Sequence, residues 1–274
     1  MHSQRNVLRV FLGGCLGLGV LQAGAASASS FKIYPIQVVL AGAAKSALLT
    51  LTNGSDETLR FEVTAFAWSQ GAKGEIELQP TDDILFFPKL FSVAPGKEQK
   101  IRVGTTASAL QREKTYRVFV EELRPLEKPK EPAAGSQVRV LTKMGIPIFL
   151  RPATPSPAGA VADLTVAKAV VSFEVKNAGN VHFSLYGVRV VGTTATGETV
   201  FERKAEGWYV LAGGSRTYEI PLSPQECGRL EHVVVEATTD VGSFKGQAGI
   251  GPDACSTPTP APGATPTGAE HGMR

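Results

Sequence analysis

Thr115-Tyr-Arg-Val-Phe-Val-Glu-Glu-Leu-Arg-Pro125 and Val138-Arg-Val-Leu-Thr-Lys-Met-Gly-Ile-Pro-Ile-Phe-Leu-Arg-Pro152 read as two strands joined by a short, charged, proline-bearing loop. Val, Ile, Phe and Tyr crowd both runs, and such residues fit the pleated, half-buried surface of a sheet. Successive strand side chains point to opposite faces. Val138, Val140, Thr142, Met144, Ile146 and Ile148 therefore share one face of the second run, while Arg139, Leu141, Lys143 and Phe149 share the other.

Working outward, short runs rich in Val, Ile, Phe and Thr recur along the chain. Asn53-Gly54, Pro95-Gly96, Ala178-Gly-Asn180 and Gly213-Gly214 punctuate them. Brief strands separated by turn signals at this spacing predict an all-β fold of sandwiches. Strands are expected at 47–52, 59–68, 101–103, 117–122 and 138–149, and again at 164–166, 170–175, 182–191, 209–211, 216–221, 232–238 and 243–249. No segment keeps an apolar 3.6-residue period long enough for a substantial helix, and residues 108–113 are the one short helical candidate. Three prolines in Arg151-Pro-Ala-Thr-Pro-Ser-Pro-Ala-Gly159 predict a stiff hinge between two domains, 29–150 and 160–251. The Pro- and Thr-rich tail 252–274 is too poor in apolar residues to offset its ordering entropy, so disorder is expected there.

Residues 1–28 have the layout of a secretory signal: Arg5 and Arg9, an apolar run from Val10 to Leu21, then small residues with Ala-x-Ala sites. Cleavage after Ala28 fits best, which predicts export to the periplasm. The apolar run is too short for a spanning helix, so no stable membrane anchor is expected. Leu12-Gly-Gly-Cys15 resembles a lipoprotein box, but most of the apolar run follows Cys15 instead of preceding it. The whole chain has 28 Lys and Arg against 25 Asp and Glu, a net +3. Removal of the signal, with its two arginines and no acids, leaves +1, with both signs interspersed. That balance speaks against a nucleic-acid partner. Cys227 and Cys255 remain after cleavage, and an oxidising compartment makes a disulfide between them a candidate.

Catalytic patterns are missing. After the signal only His182, His232 and His271 remain, widely separated, and no phosphate-cradling glycine loop or nucleophile elbow occurs. Asp82-Asp83 and Glu121-Glu122 are adjacent pairs whose side chains diverge on a strand. The expectation is a non-enzyme with no cofactor and no metal site. His182 reads as a residue at the start of a strand.

Several pieces in order carry a resemblance. Phe31-Lys-Ile-Tyr-Pro-Ile-Gln-Val-Val-Leu40, Leu49-Thr-Leu-Thr-Asn53, Val93-Ala-Pro-Gly96 with Lys100-Ile-Arg-Val103, and Tyr116-Arg-Val-Phe-Val-Glu-Glu122 resemble strands A, B, E and F of the periplasmic pilus-assembly (PapD-like) chaperones. Val175-Lys-Asn-Ala-Gly-Asn-Val-His182 and Gly207-Trp-Tyr-Val-Leu-Ala-Gly-Gly-Ser-Arg216 are similar to their second domain. The resemblance spans residues 31–250. It implies two immunoglobulin-like sandwiches in an L-shaped arrangement, with incomplete pilus subunits and an outer-membrane usher as partners. Its implied mechanism is donor-strand complementation, in which the chaperone's G strand fills the gap left by a subunit's missing strand. A secreted two-domain adhesion or binding module that donates no strand is the alternative.

The resemblance also implies residue roles. The lending strand is 138–148, with Val138 and Val140 as groove-filling side chains. Thr142 follows them in parity but is a poor apolar plug, and a bulge would substitute Leu141; Ile146 and Ile148 fit the domain's own core. An acid–Arg–acid network between the domains maps to Glu122, Arg151 and Asp240. The family anchors the subunit's terminal carboxylate with a basic pair whose positions correspond here to Gln37 and Pro147, which cannot do that work. This departure, with the short loop after Glu122, is similar to the archaic branch. Arg117 and Lys143 are the substitute anchors, with Arg102 and Arg139 behind them.

Overall fold

A computed structural model describes residues 27–28, 30–107, 111–126, 139–251 and 254–255. The first half holds β1 (Ser27–Ala28), β2 (Phe31–Tyr34), β3 (Val38–Leu40), β4 (Ser46–Asn53), β5 (Leu59–Gln70), β6 (Ile76–Pro80), β7 (Ile84–Phe87), β8 (Leu90–Val93), β9 (Glu98–Thr105), β10 (Lys114–Leu123), β11 (Arg139–Val140) and β12 (Lys143–Leu150). One sheet runs β2-β4-β9-β7 and the facing sheet β3-β12-β10-β5-β6, with β8 also on β5. Alternation does the folding work. Leu49 and Leu51 of β4, Ile101 and Val103 of β9, Phe61 and Val63 of β5, and Val118 and Val120 of β10 meet in one core. Ile146 and Ile148 join it, as their parity predicted.

The second half comprises β13 (Gly159–Ala167), β14 (Val170–Asn177), β15 (Phe183–Thr193), β16 (Thr199–Glu206), β17 (Tyr209–Val210), β18 (Ser215–Pro221), α1 (Pro224–Cys227), β19 (His232–Thr239) and β20 (Gly242–Gly249). Sheets β13-β14-β18 and β16-β15-β19-β20, with β17 beside β15, enclose a separate core around Phe173, Phe183, Val190 and Val235. The protein is thus all-β, with two immunoglobulin-like domains.

Both domains use one device at the end of their second core strand. Asn53, buried, donates from Nδ2 to the carbonyls of Glu57 and Val93, each at 2.8 Å. Asn177, equally buried, donates to the carbonyls of Val181 (2.8 Å) and Val210 (2.9 Å) and accepts from Gly179 N. A buried amide satisfied in this way ties a strand to the loop opposite it. The Asn53-Gly54 signal marks the first of these cross-links, and the Ala178-Gly-Asn180 signal directly follows the second.

The strand expected over 138–149 is broken at Leu141 and Thr142. Opposite the break, Glu122 N still donates to Thr142 O (2.9 Å), but Thr142 N points to the Glu122 carboxylate (Oε2, 3.4 Å) instead of a backbone carbonyl. A buried side chain thus takes over one rung of the ladder. β6, β7, β8 and β16, short or polar along much of their length, had no expected strand. The helical candidate at 108–113 lies partly outside the described residues, and Gln111–Glu113 is not helical.

Candidate subunit-binding edge and domain junction

β12 lies near the edge of its sheet. Its inner edge pairs with β10 from Lys143↔Glu121 to Leu150↔Lys114. Its outer edge is covered only at the end, where β3 runs parallel to it from Ile148↔Val38 to Leu150↔Leu40. Among the described residues, no strand covers the outer edge of 143–147. Just before it, Val140 is 50% exposed and Leu141 37%. Thr142 is half-buried next to the buried Glu122. Val138 lies outside the described residues. At 139–140 the outer edge carries the two-residue strand β1, parallel, with Ser27↔Arg139 and Ala28↔Val140.

The candidate anchors separate. Arg117 faces Pro147 across the ladder, and Lys143 faces Glu121. Lys143 is therefore four residues along, about 13 Å away at about 3.3 Å per residue. Its Nζ is bound to Glu121 Oε2 (2.8 Å), and it is half exposed. Arg117, by contrast, is buried at 8% exposure, and its guanidinium carbon lies 4.4 Å from the Trp68 ring centroid and 4.9 Å from that of Trp208. Burial pushes its pKa down, and its Nε finds no acceptor among the described residues. Gln37, the other position that departs from the family's pattern, accepts from the Tyr209 hydroxyl at 2.9 Å. Arg102 hydrogen-bonds to Ser46 Oγ and Arg139 pairs with Glu57, both on the exposed surface.

The expected Glu122–Arg151–Asp240 network is replaced by another. The register sets Arg151 level with Glu113, just beyond the Lys114↔Leu150 pair, and puts Glu122 nine residues further along β10. That separation is about 30 Å. Arg151 Nε instead lies 3.5 Å from Glu113 Oε2, a distance for an ion pair but too long for a hydrogen bond. Asp240 accepts from Ser184 N at 2.8 Å, within its own domain. Glu113 reaches across the junction: its Oε1 accepts from His182 N (2.9 Å) and lies 2.6 Å from His182 Nδ1. His182, read from sequence as a simple strand start, is buried and stacks on Phe149 with ring centroids 3.5 Å apart. No local signal marked Glu113 or His182, because their role exists only once the domains dock.

Around this polar bridge lies an aromatic junction: Trp68, Phe149 and Leu211 are buried, with Trp208 and Tyr209 packed on them. The β5–β6 hairpin clasps the second domain. Gln70 Nε2 donates to Tyr209 O (2.9 Å), Leu211 N donates to Gln70 Oε1 (3.1 Å), and Thr217 N donates to Ala72 O (2.9 Å). Gly74 of this hairpin has φ +85°, a conformation that favours glycine, and it packs beside the Arg216 guanidinium. At the far end of the second domain Cys227 and Cys255 form a disulfide, with Cα atoms 5.7 Å apart. No group of three or more His, Cys, Asp or Glu among the described residues could hold a metal ion.

Comparison with solved structures places this fold among fimbrial chaperones. The class 5 fimbriae chaperone CfaA matches with a TM-score of 0.53 and 15% identity, over 80% of this chain and 98% of that one. The structure of Salmonella enterica SafA pilin in complex with the SafB chaperone matches with a TM-score of 0.54 and 18% identity, over 81% and 98%. The CsuC–CsuE chaperone–tip subunit pre-assembly complex of the archaic Csu pili of Acinetobacter baumannii gives 0.51 and 17%, over 80% and 97%. At these identities the likeness is one of fold. Comparison with curated protein sequences gives no match. The model of the pili and flagellar-assembly chaperone, PapD N-terminal domain, matches residues 30–156, the stretch that holds the first sandwich, the open edge and Arg117, and identifies this stretch as a PapD-like chaperone N-terminal domain.

Proposed function

We propose that this protein is a periplasmic chaperone that captures incomplete immunoglobulin-like pilus subunits by lending them the 138–148 segment, and passes them to an outer-membrane usher. The observation that carries the reading is the open outer edge of β12 with the exposed Val140 and Leu141 beside it. An edge with unpaired backbone groups is a template for another strand, and donor-strand complementation uses such an edge, with alternate apolar side chains for the groove. Arg117 supports a single-cation anchor for the subunit's terminal carboxylate, since its buried guanidinium is paired with no carboxylate among the described residues. Lys143 is already neutralised by Glu121.

A second surface suits the usher. On the outer face of β2-β4-β9-β7, Leu48, Arg102 and Phe87 stand in one cross-strand row, with Tyr34 and Leu85 in neighbouring rows. Tyr34 and Phe87 are more than three-quarters exposed. Aromatic and Arg side chains are the groups that dominate binding at protein interfaces.

Co-expression with an incomplete pilus subunit from the source organism tests the reading. The subunit is expected to accumulate as a one-to-one complex and to be degraded without the chaperone. Arg117→Ala should weaken the complex about tenfold or more, since a charge-assisted bond to a carboxylate contributes about 1.5–3 kcal/mol. A subunit that accumulates equally with and without the chain would favour the adhesion-module alternative.

A further inference from the structure

The chain has two tryptophans, and both end beside Arg117. Trp68 belongs to β5 of the first domain, and Trp208 immediately precedes β17 of the second. Their ring centroids are 5.7 Å apart with the planes 42° apart. With the guanidinium carbon 4.4 and 4.9 Å from the two centroids, the three centres form a compact triangle. The guanidinium therefore rests across a notch of two tilted rings and is not sandwiched between parallel plates. A Cβ on the exposed Gly145 of β12 would lie 2.9 Å from Phe119 Cε1 and 3.4 Å from Arg117 Nη1, so the glycine lets the lending strand pass close to the Phe119 ring and the guanidinium.

A guanidinium this buried loses hydration, and the negative ring faces compensate part of that loss. They also fix its plane, which sets the directions in which its N–H groups point. Half of the seat comes from the second domain, and its position is set by contacts with the first. Tyr209, next to Trp208, donates through its hydroxyl to Gln37. Gln70, two residues from Trp68, holds both Tyr209 O and Leu211 N. The notch is complete only when the domains are docked.

We propose that Trp208 is a positioning residue for the carboxylate anchor, so that the second domain aims Arg117 at the end of a subunit bound to the first. This rests on the reading of Arg117 as the anchor. The test uses the full chaperone and one pilus subunit from the source organism, prepared with a free C-terminal carboxylate and as its amide. Wild type is expected to bind the free form about tenfold or more tightly. Trp208→Met keeps apolar bulk without the ring face and should bring the two forms within about twofold, whereas Trp208→Phe should keep most of the preference. A purely structural role would weaken both forms alike and leave the ratio at its wild-type value, which overturns the proposal. Absence of any preference in wild type overturns the anchor reading, and this proposal with it. Should Trp208→Met fail to fold, Gln70→Ala, which loosens the same clasp with both rings intact, is expected to lower the ratio, and an unchanged ratio there counts against the proposal.

Discussion

Glu113→Ala should destabilise the protein far more than Arg151→Ala, although both belong to one ion pair. The Glu113 side chain is fully buried, and its Oε1 is the acceptor for both the backbone N–H and the Nδ1 of His182. Truncation strands two buried donors, each costing about 1–3 kcal/mol when left without an acceptor. It also removes the acid facing Arg151. Removing one member of a buried charged set costs about 3–5 kcal/mol in total, and these contributions overlap. Arg151, with its side chain 36% exposed and its Nε 3.5 Å from the carboxylate, is partly screened by solvent, so its loss should cost about 1 kcal/mol. In urea, with a slope of roughly 2 kcal/mol per molar, the Glu113→Ala midpoint should fall by about 1.5–2.5 M. Tryptophan fluorescence is the suitable probe, because Trp68 and Trp208 both sit at the junction that Glu113 closes. A Glu113→Ala loss below about 1 kcal/mol, or an Arg151→Ala loss as large as that of Glu113→Ala, would refute the assignment of Glu113 as the centre of the bridge.

Val140→Asp should abolish subunit capture while leaving the melting temperature unchanged, since Val140 is half exposed in the free protein but a carboxylate in an apolar groove loses hydration without a partner; normal subunit yield would remove Val140 from the donor role. Asp83 is held below its usual carboxylate range by the hydrogen bond from Tyr116 and by Lys114, and burial, then Asp83, raises the Tyr116 phenol. The depressed acid contributes stability above about pH 4 that is lost as pH falls through its folded value; the raised phenol contributes below about pH 10 and is lost above it. Tyr116→Phe should flatten both limbs of a stability–pH profile, and identical profiles would contradict the coupling. Cys227 and Cys255 are 28 residues apart, so Cys227→Ser with Cys255→Ser should cost about 3.5 kcal/mol by loop entropy, read as a lower denaturation midpoint of the second domain; an unchanged midpoint under oxidising conditions would show that the bridge contributes nothing.

Local alternation was enough to place most core strands, because burial parity depends only on which residues neighbour one another along a chain. Leu49 and Leu51, Ile146 and Ile148, and Val171, Phe173 and Val175 all follow that rule. Asn53 was visible as part of a turn signal and Asn177 stands just before another, though their cross-links to Val93 and Val210 needed the folded chain. The all-β class was likewise legible in the sequence. Partner choice was not. Glu122 is an acid on β10 and Glu113 immediately precedes that strand, and only the register with β12 decides which of them is level with Arg151. Arg117 and Lys143 were both named as substitute anchors through the family resemblance, with Arg117 the stronger of the two, and only the pairing of β10 with β12 sets Lys143 opposite Glu121. The docking of the two domains did the rest. It buried His182 against Phe149 and brought Trp208 to Arg117 from 91 residues away, contacts that depend on the angle between two sandwiches and leave no periodic trace in either one.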